Sequence, residues 1–244
     1  MFVRFLVFLI SLIVLLFIFS LPKEQKTEKT METSFVKKVL DGDTIELING
    51  TKIRLYGINT PEKGYYLNKE AKEFLESILN EKIEIENLGM DKYNRTLGII
   101  YLNKTNVNLL MVRNGLATVY MTEKEEFKEM EKEAKANSLG LWKKSGIVCI
   151  RIMDIKPKEE YVILKNNCFD AIQMNGWSLK DDGRKTIVIN QTLCANCSLA
   201  IFSANGTNST DEIYWGIGDV WNDEGDRAFL RDEKGLLVDV YDYK

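Results

Sequence analysis

The chain reads as a multidomain, β-rich protein: a small closed β-barrel with three helices (α+β), then a β-sandwich, the two preceded by one hydrophobic helix. Three observations point there. Residues 34–144 mix short period-two apolar runs, turn signals and helical spacings, with a net charge of +1. Residues 145–244 carry only short β-type runs, a net charge of −5 and all four cysteines of the 244-residue chain. Residues 5–21 are apolar apart from Ser11 and Ser20.

Arg4 precedes the apolar stretch Phe5–Leu21. Its length is the lower limit for a spanning helix and slightly long for a signal-peptide core. No A-x-A-like cleavage site follows Ser20. Residues 1–21 are therefore read as an uncleaved signal anchor that meets the membrane through residues 5–21, with a cleaved signal peptide as the alternative. A stretch apolar on all faces at the start of the chain argues against a buried core helix. Residues 22–33 are charged and aperiodic, as a linker would be. Asn49, Asn94, Asn103, Asn190, Asn196, Asn205 and Asn208 each begin N-x-S/T, seven of nineteen asparagines. Either they accept glycans, which needs an extracytoplasmic chain, or an Asn-rich sequence produced them by chance.

Strands come first in the barrel region. Phe35–Leu40 leads into Asp41-Gly42-Asp43, Thr44–Ile48 follows, and Asn49-Gly50 is a strong hairpin signal. Lys52–Ile58 is a strand with Ile53 and Leu55 on one face and Arg54 and Tyr56 on the other. Ala71, Phe74, Leu75, Ile78 and Leu79 have helical spacing. Ile83 and Ile85 alternate with charges, and Leu97–Leu102 is the fifth strand. Val107, Leu110 and Met111 mark a short helix closed by Gly115, and Thr122-x-x-Glu125 has the form of a capping box before a charged helix. Five short strands with peripheral helices suggest a closed barrel. Further on, Val148–Ile155, Glu160–Leu164, Trp177–Leu179, Thr186–Ile189, Leu199–Phe202, Ala228–Leu230 and Leu236–Val240 alternate with turns such as Asp182-Gly183 and Lys234-Gly235, a sandwich pattern.

The chain has no histidine. That excludes an imidazole base and every His-ligated metal, so acid–base work falls to Asp, Glu, Lys, Tyr or Cys. A net charge of −3 is too small a bias to argue for nucleic acid from bulk charge. Asp41, Asp43, Asn59, Thr60 and Glu62 flank two adjacent strands, and oxygen donors without His or Cys suit a hard cation, Ca²⁺ or Mg²⁺. Arg54 and Arg95 add two guanidinium groups. A cation and two arginines neutralise the charge that develops in phosphodiester hydrolysis, while a carboxylate orients and deprotonates water. Spacing alone leaves alternatives open: D-G-D is often an Asx turn, and both arginines read equally as solvated surface.

Val39–Leu47, Ile53–Glu62 and Asp91–Gly98 follow one another as in the staphylococcal nuclease (thermonuclease) family, and Val107–Thr118 and Leu139–Trp142 are similar too. The resemblance covers residues 34–144. It implies an OB-fold barrel with three helices and a Ca²⁺-dependent endonuclease that hydrolyses DNA and RNA and leaves 3′-phosphates. In that reading Asp43, Asn59 and the Thr60 carbonyl hold the ion directly and Asp41 through water. Glu62 is the general base, Arg54 and Arg95 bind phosphate, and Tyr93 lies near the nucleotide. The family's best-studied members have Asp where this chain has Asn59, which removes one negative charge from the ion's site. Every residue of this set lies within 34–144, so the barrel is expected to cleave by itself.

Glu160–Asn166, Asn175–Asp181 and Val220–Asp226 leading to Leu236–Tyr241 resemble a lamin-tail domain, covering residues 148–242. The resemblance implies an immunoglobulin-like sandwich that binds or targets, with no partner identified. Cys149, Cys168, Cys194 and Cys197 allow two disulfides, free thiols or a Cys₄ zinc site. The leading expectation is an extracytoplasmic nuclease, membrane-anchored or, alternatively, secreted. The competing ones are a non-catalytic OB-fold module binding nucleic acid or protein at the cell surface, and a surface structural protein served by the second domain. The joint presence of Asp43, Glu62, Arg54 and Arg95 favours catalysis.

Overall fold

A computed structural model of the chain describes residues 31–244. The expected hydrophobic helix, the signal or anchor of residues 1–21 and the linker up to residue 30 lie outside the described residues. Among the described residues no helix is long and apolar enough to cross a membrane.

Eight strands and three helices build the first half. They are β1 (Met31–Asp41), β2 (Thr44–Leu47), β3 (Lys52–Leu55), β4 (Ile58–Asn59), α1 (Asn68–Glu76), β5 (Lys82–Met90), β6 (Thr96–Leu102), β7 (Thr105–Asn106), α2 (Val107–Arg113), β8 (Thr118–Val119) and α3 (Glu125–Ala136). The sheet runs β3-β2-β1-β5-β6 and closes on itself through a parallel β3–β6 pair, with Leu55 opposite Gly98. A Cβ on Gly98 would stand 2.9 Å from the Ile53 side chain, so glycine permits the closure. Alternate residues of these strands (Val36, Ile45, Ile53, Ile83, Ile85 and Ile99) fill the barrel, and Leu75, Met111 and Phe127 seal it from the helices.

Four local expectations change. Residues 31–33 belong to β1, where Met31 pairs with Glu86 of β5, rather than to the linker. The Asn49-Gly50 connection spans residues 48–51, longer than a two-residue turn. The third strand ends at Leu55 because the chain turns at Gly57, with φ +77°. Arg54 is therefore not on a solvent face but only 6% exposed. Thr122 is not a helix cap. Lys124 occupies that position with no side-chain bond, and Thr122 Oγ1 instead accepts the Lys124 N–H at 3.2 Å.

The second half holds β9 (Ile150–Lys156), β10 (Tyr161–Asn166), β11 (Ile172–Gln173), β12 (Trp177–Lys180), β13 (Thr186–Ile189), β14 (Thr192–Leu193), β15 (Ser198–Phe202), β16 (Glu212–Tyr214), β17 (Asp226–Arg231) and β18 (Leu237–Tyr243). Two four-stranded sheets, β16-β15-β10-β9 and β13-β12-β17-β18, share one core around Trp177, Leu164, Leu199 and Leu230. Cys149 pairs with Cys168 and Cys194 with Cys197, so zinc and free thiols are set aside.

Barrel and sandwich belong to one compact unit. Ala134 and Trp142 of the first half bury against Phe229 and Leu237 of the second. Lys144 bridges to Leu237, and the Leu237 N–H donates to Lys143 O at 2.8 Å. Arg231 Nη1 donates to Leu141 O at 2.7 Å, and burial pushes this guanidinium down to about 10. Arg227 reaches deepest. It donates to both carboxylate oxygens of Glu131 on α3, at 3.0 and 2.8 Å, to Val119 O at 2.5 Å and to Asp182 Oδ1. A cation and two carboxylates so little exposed are tolerated because each satisfies the others.

Candidate active site

The D-G-D turn is the two-residue connection between β1 and β2. Asp41 Oδ1 accepts the Asp43 N–H at 3.1 Å, which curls the chain and directs Asp43 inward, where it is 4% exposed. A Cβ on Gly42 would stand 2.7 Å from Thr60 Oγ1, so glycine lets the turn lie against the segment after β4. There Thr60 donates to Asp43 Oδ2 from its N–H at 3.4 Å and from its hydroxyl at 3.2 Å. Thr44 Oγ1 donates to the other Asp43 oxygen at 3.1 Å. The Asx turn and the site are thus the same object.

Both arginines converge on this carboxylate. Arg54 stands opposite Thr44 in the β2–β3 pair, and its Nη2 is 3.0 Å from Asp43 Oδ2 while Nη1 donates to Leu55 O at 2.6 Å. Arg95 is forked onto Asp91 at 2.7 Å and donates to Thr44 Oγ1 at 3.3 Å, one hydroxyl away from Asp43. Its guanidinium lies 5.5 Å from the ring centre of Tyr93, an exposed side chain.

Asn59 and Glu62 meet the second domain. The β12–β13 loop, residues 181–185, lies on them. Asn59 Nδ2 donates to Asp182 O at 3.0 Å and to Gly183 O at 2.7 Å, and Arg184 Nε is 3.2 Å from Glu62 Oε1. The site residues read from the sequence all lie within 34–144, and a loop of the second domain covers part of this candidate site. Arg184, Asp182 and Gly183, more than 120 residues from Asn59, line it as well. In sequence D-D-G-R reads only as a turn, and no periodicity signals what a loop tip will touch. Burial, then Asp182 and Asp181, push the Tyr120 phenol up, and Arg54 opposes them.

Electrostatics mark Asp43. Burial pushes it up to about 6, the Arg54 cation opposes that, and the Asp41 charge adds to it. Two adjacent carboxylates still short of positive charge beside an arginine fit a hard divalent cation. The donors at hand are the Asp43 and Asp41 carboxylates, the Thr60 carbonyl and Asn59 Oδ1, all oxygen. The Asn59 amide nitrogen is committed to the loop carbonyls, which leaves its oxygen as the only free donor of that side chain.

Residues 52–144 match the family described as Staphylococcal nuclease homologue, and residues 143–244 match the Lamin Tail Domain. An uncharacterized endonuclease of Haemophilus influenzae is 33% identical over 117 residues, covering 45% of this chain and 66% of its own length. The micrococcal nuclease of Shigella flexneri is 32% identical over 125 residues, covering 44% of this chain and 71% of its own. Endonuclease YncB of Bacillus subtilis is 32% identical over 148 residues, covering 52% and 69%.

Proposed function

The chain belongs to the staphylococcal nuclease family, with a lamin tail domain behind the nuclease domain, and we propose that it is a Ca²⁺-dependent endonuclease acting on DNA and RNA. One observation carries the reading: Asp43, Arg54 and Arg95 are joined through Thr44 into a single network, with the half-exposed carboxylate of Glu62 nearby. Arg54 pairs with the buried Asp43 directly and Arg95 reaches it through the Thr44 hydroxyl, so both cations lie where a phosphate beside Asp43 would be met.

Asp43, Asn59 Oδ1 and the Thr60 carbonyl would hold the cation, with Asp41 acting through water. A bound Ca²⁺ supplies positive charge against the phosphorane-like transition state. Glu62 orients a water molecule and takes its proton as the water oxygen attacks phosphorus. The bond from phosphorus to the 5′ oxygen breaks, the 5′ oxygen takes a proton from solvent to become a hydroxyl, and a 3′-phosphate remains. Arg54 and Arg95 offer their remaining N–H donors to the phosphate oxygens, and each is already oriented by a carboxylate, so little reorganisation is needed as charge develops.

We also propose that the enzyme acts outside the cytoplasm, anchored through residues 5–21 or secreted. Support comes from the apolar stretch itself, from two disulfides and from seven N-x-S/T asparagines that are all exposed.

The test is cleavage of single-stranded DNA and RNA oligonucleotides with calcium or with chelator. Glu62→Gln is expected to lower turnover about 10²-fold with the fold intact. A purified Glu62→Gln protein of near-normal turnover would remove Glu62 from the mechanism. Calcium-dependent binding of the oligonucleotide by the wild type without cleavage would make the barrel a binding module.

A further inference from the structure

We propose that the 181–185 loop of the lamin tail domain is a working part of the nuclease site, with Arg184 as a positioning residue for Glu62. The inference rests on the nuclease reading and adds to it a residue that the nuclease domain does not contain.

The loop grips two of the proposed site residues, three positions apart, with different chemistry. Its carbonyls at Asp182 and Gly183 take the Asn59 amide, and its guanidinium at Arg184 meets the Glu62 carboxylate. It is held rigidly for this from its own domain. Lys180 Nζ donates to the carbonyls of Asp181 and Gly183. Asp181 Oδ1 accepts the Lys185 N–H at 2.8 Å, and the Asp182 N–H donates to Asp226 Oδ1 at 3.0 Å. Asp182 then reaches α3 of the barrel through Arg227 and Glu131. The tip is thus anchored on both domains before Arg184 extends from it.

The Arg184–Glu62 pair itself is solvated, the two side chains being 50% and 42% exposed. Exposed pairs contribute little to folding. What the contact does is orient. A glutamate that must take a proton from one particular water has three side-chain torsions to restrain, and no other side chain among the described residues bonds to the Glu62 carboxylate. A guanidinium on one oxygen holds the rotamer and leaves the second oxygen for the water. The Nη atoms of Arg184 have no protein partner among the described residues.

The experiment measures kcat and KM of the full chain on a single-stranded DNA oligonucleotide for wild type, Arg184→Ala, Arg184→Lys, Glu62→Gln and the Arg184→Ala/Glu62→Gln double variant. Each protein is first shown to be folded by circular dichroism. Arg184→Ala is expected to lower kcat about tenfold with KM nearly unchanged, Arg184→Lys to recover part of the loss, and Arg184→Ala to have no further effect once Glu62 is Gln. Unchanged kinetics would overturn the inference, as would additive losses in the double variant. A rise in KM at constant kcat would make Arg184 a substrate-binding group instead. A faster Arg184→Ala enzyme would make the loop an inhibitory plug. A wild type that binds but does not cleave overturns the nuclease reading and this inference together, whereas active wild type with unaffected Arg184→Ala overturns the inference alone.

Discussion

Asn59 shows how one side chain changes meaning between sequence and structure. From the sequence it is a calcium ligand short of one charge, and restoring Asp there would be expected to lower the calcium needed for cleavage. In the folded chain its amide nitrogen is the donor to two carbonyls of the second domain. An ionised aspartate has no hydrogen to offer them and would face both oxygens with like charge. Without calcium, Asn59→Asp is expected to destabilise the protein by roughly 1–3 kcal/mol, read as a lower urea midpoint, with calcium restoring part of the loss. An unchanged midpoint would mean that the loop contact holds nothing. Asp181, in the same loop, makes a pH-dependent prediction. Burial pushes it up from 3.8 to about 6, with Lys180 opposing. The native state thus binds this proton more tightly than the unfolded chain does. Its contribution to stability is greatest below 3.8, declines as pH rises between those two values, and stays low above about 6. Asp181→Asn keeps an acceptor for the Lys185 N–H and removes the buried charge. It is expected to stabilise the protein by about 1 kcal/mol near pH 7.5 and by little near pH 4. Urea melts of both proteins at the two pH values decide it, and an equal difference at both would assign the effect to something other than this carboxylate.

Among the elements, the β1–β2 turn gathers two of the proposed ion-binding carboxylates in the fewest residues. It turns in two residues, Asp41 bonds its own backbone two positions on, and Gly42 gives way to Thr60. Gly42→Ala would meet Thr60 Oγ1 at 2.7 Å and the Ala71 methyl at 3.1 Å. It is expected to cost about 1–3 kcal/mol and to slow cleavage by moving Asp43. Thermal unfolding and the cleavage rate of one preparation check both halves, and normal values for both would mean that the turn has slack. This element was readable beforehand because D-G-D, the flanking alternation and the N-T-P-E segment all lie within 22 residues. The capping box was not. Thr122-x-x-Glu125 satisfies the pattern, yet the helix begins two residues later, capped at Lys124, where the chain must turn to bury Phe127. Local capping yielded to core packing.

In the whole molecule, barrel and sandwich are joined by a shared apolar seam and by buried charge. Arg227 faces Glu131 and Asp182, with all three side chains largely buried. Arg227→Met would take the buried cation from Asp182 and leave Glu131 with Lys135 alone, and is expected to destabilise the chain by about 3 kcal/mol, with Glu131→Gln in the same chain recovering part of it. Calorimetry of the two variants checks this, and a loss that Glu131→Gln does not relieve would point to packing rather than charge. The amino-acid sequence alone determined the two-domain order, the barrel's five strands and three helices, most sandwich strands and the D-G-D, N-T-P-E and arginine set. Each of these rests on contacts between residues near in sequence, which leave a period or a motif. It did not contain the disulfide pairing, the inward turn of Arg54 or the seating of residues 181–185 on Asn59 and Glu62. The first two depend on how each domain packs within itself, and the third on which surfaces meet once both cores have formed. A turn such as D-D-G-R has the same local pattern whether it faces water or, as here, packs with Asp181 buried against a neighbouring candidate site.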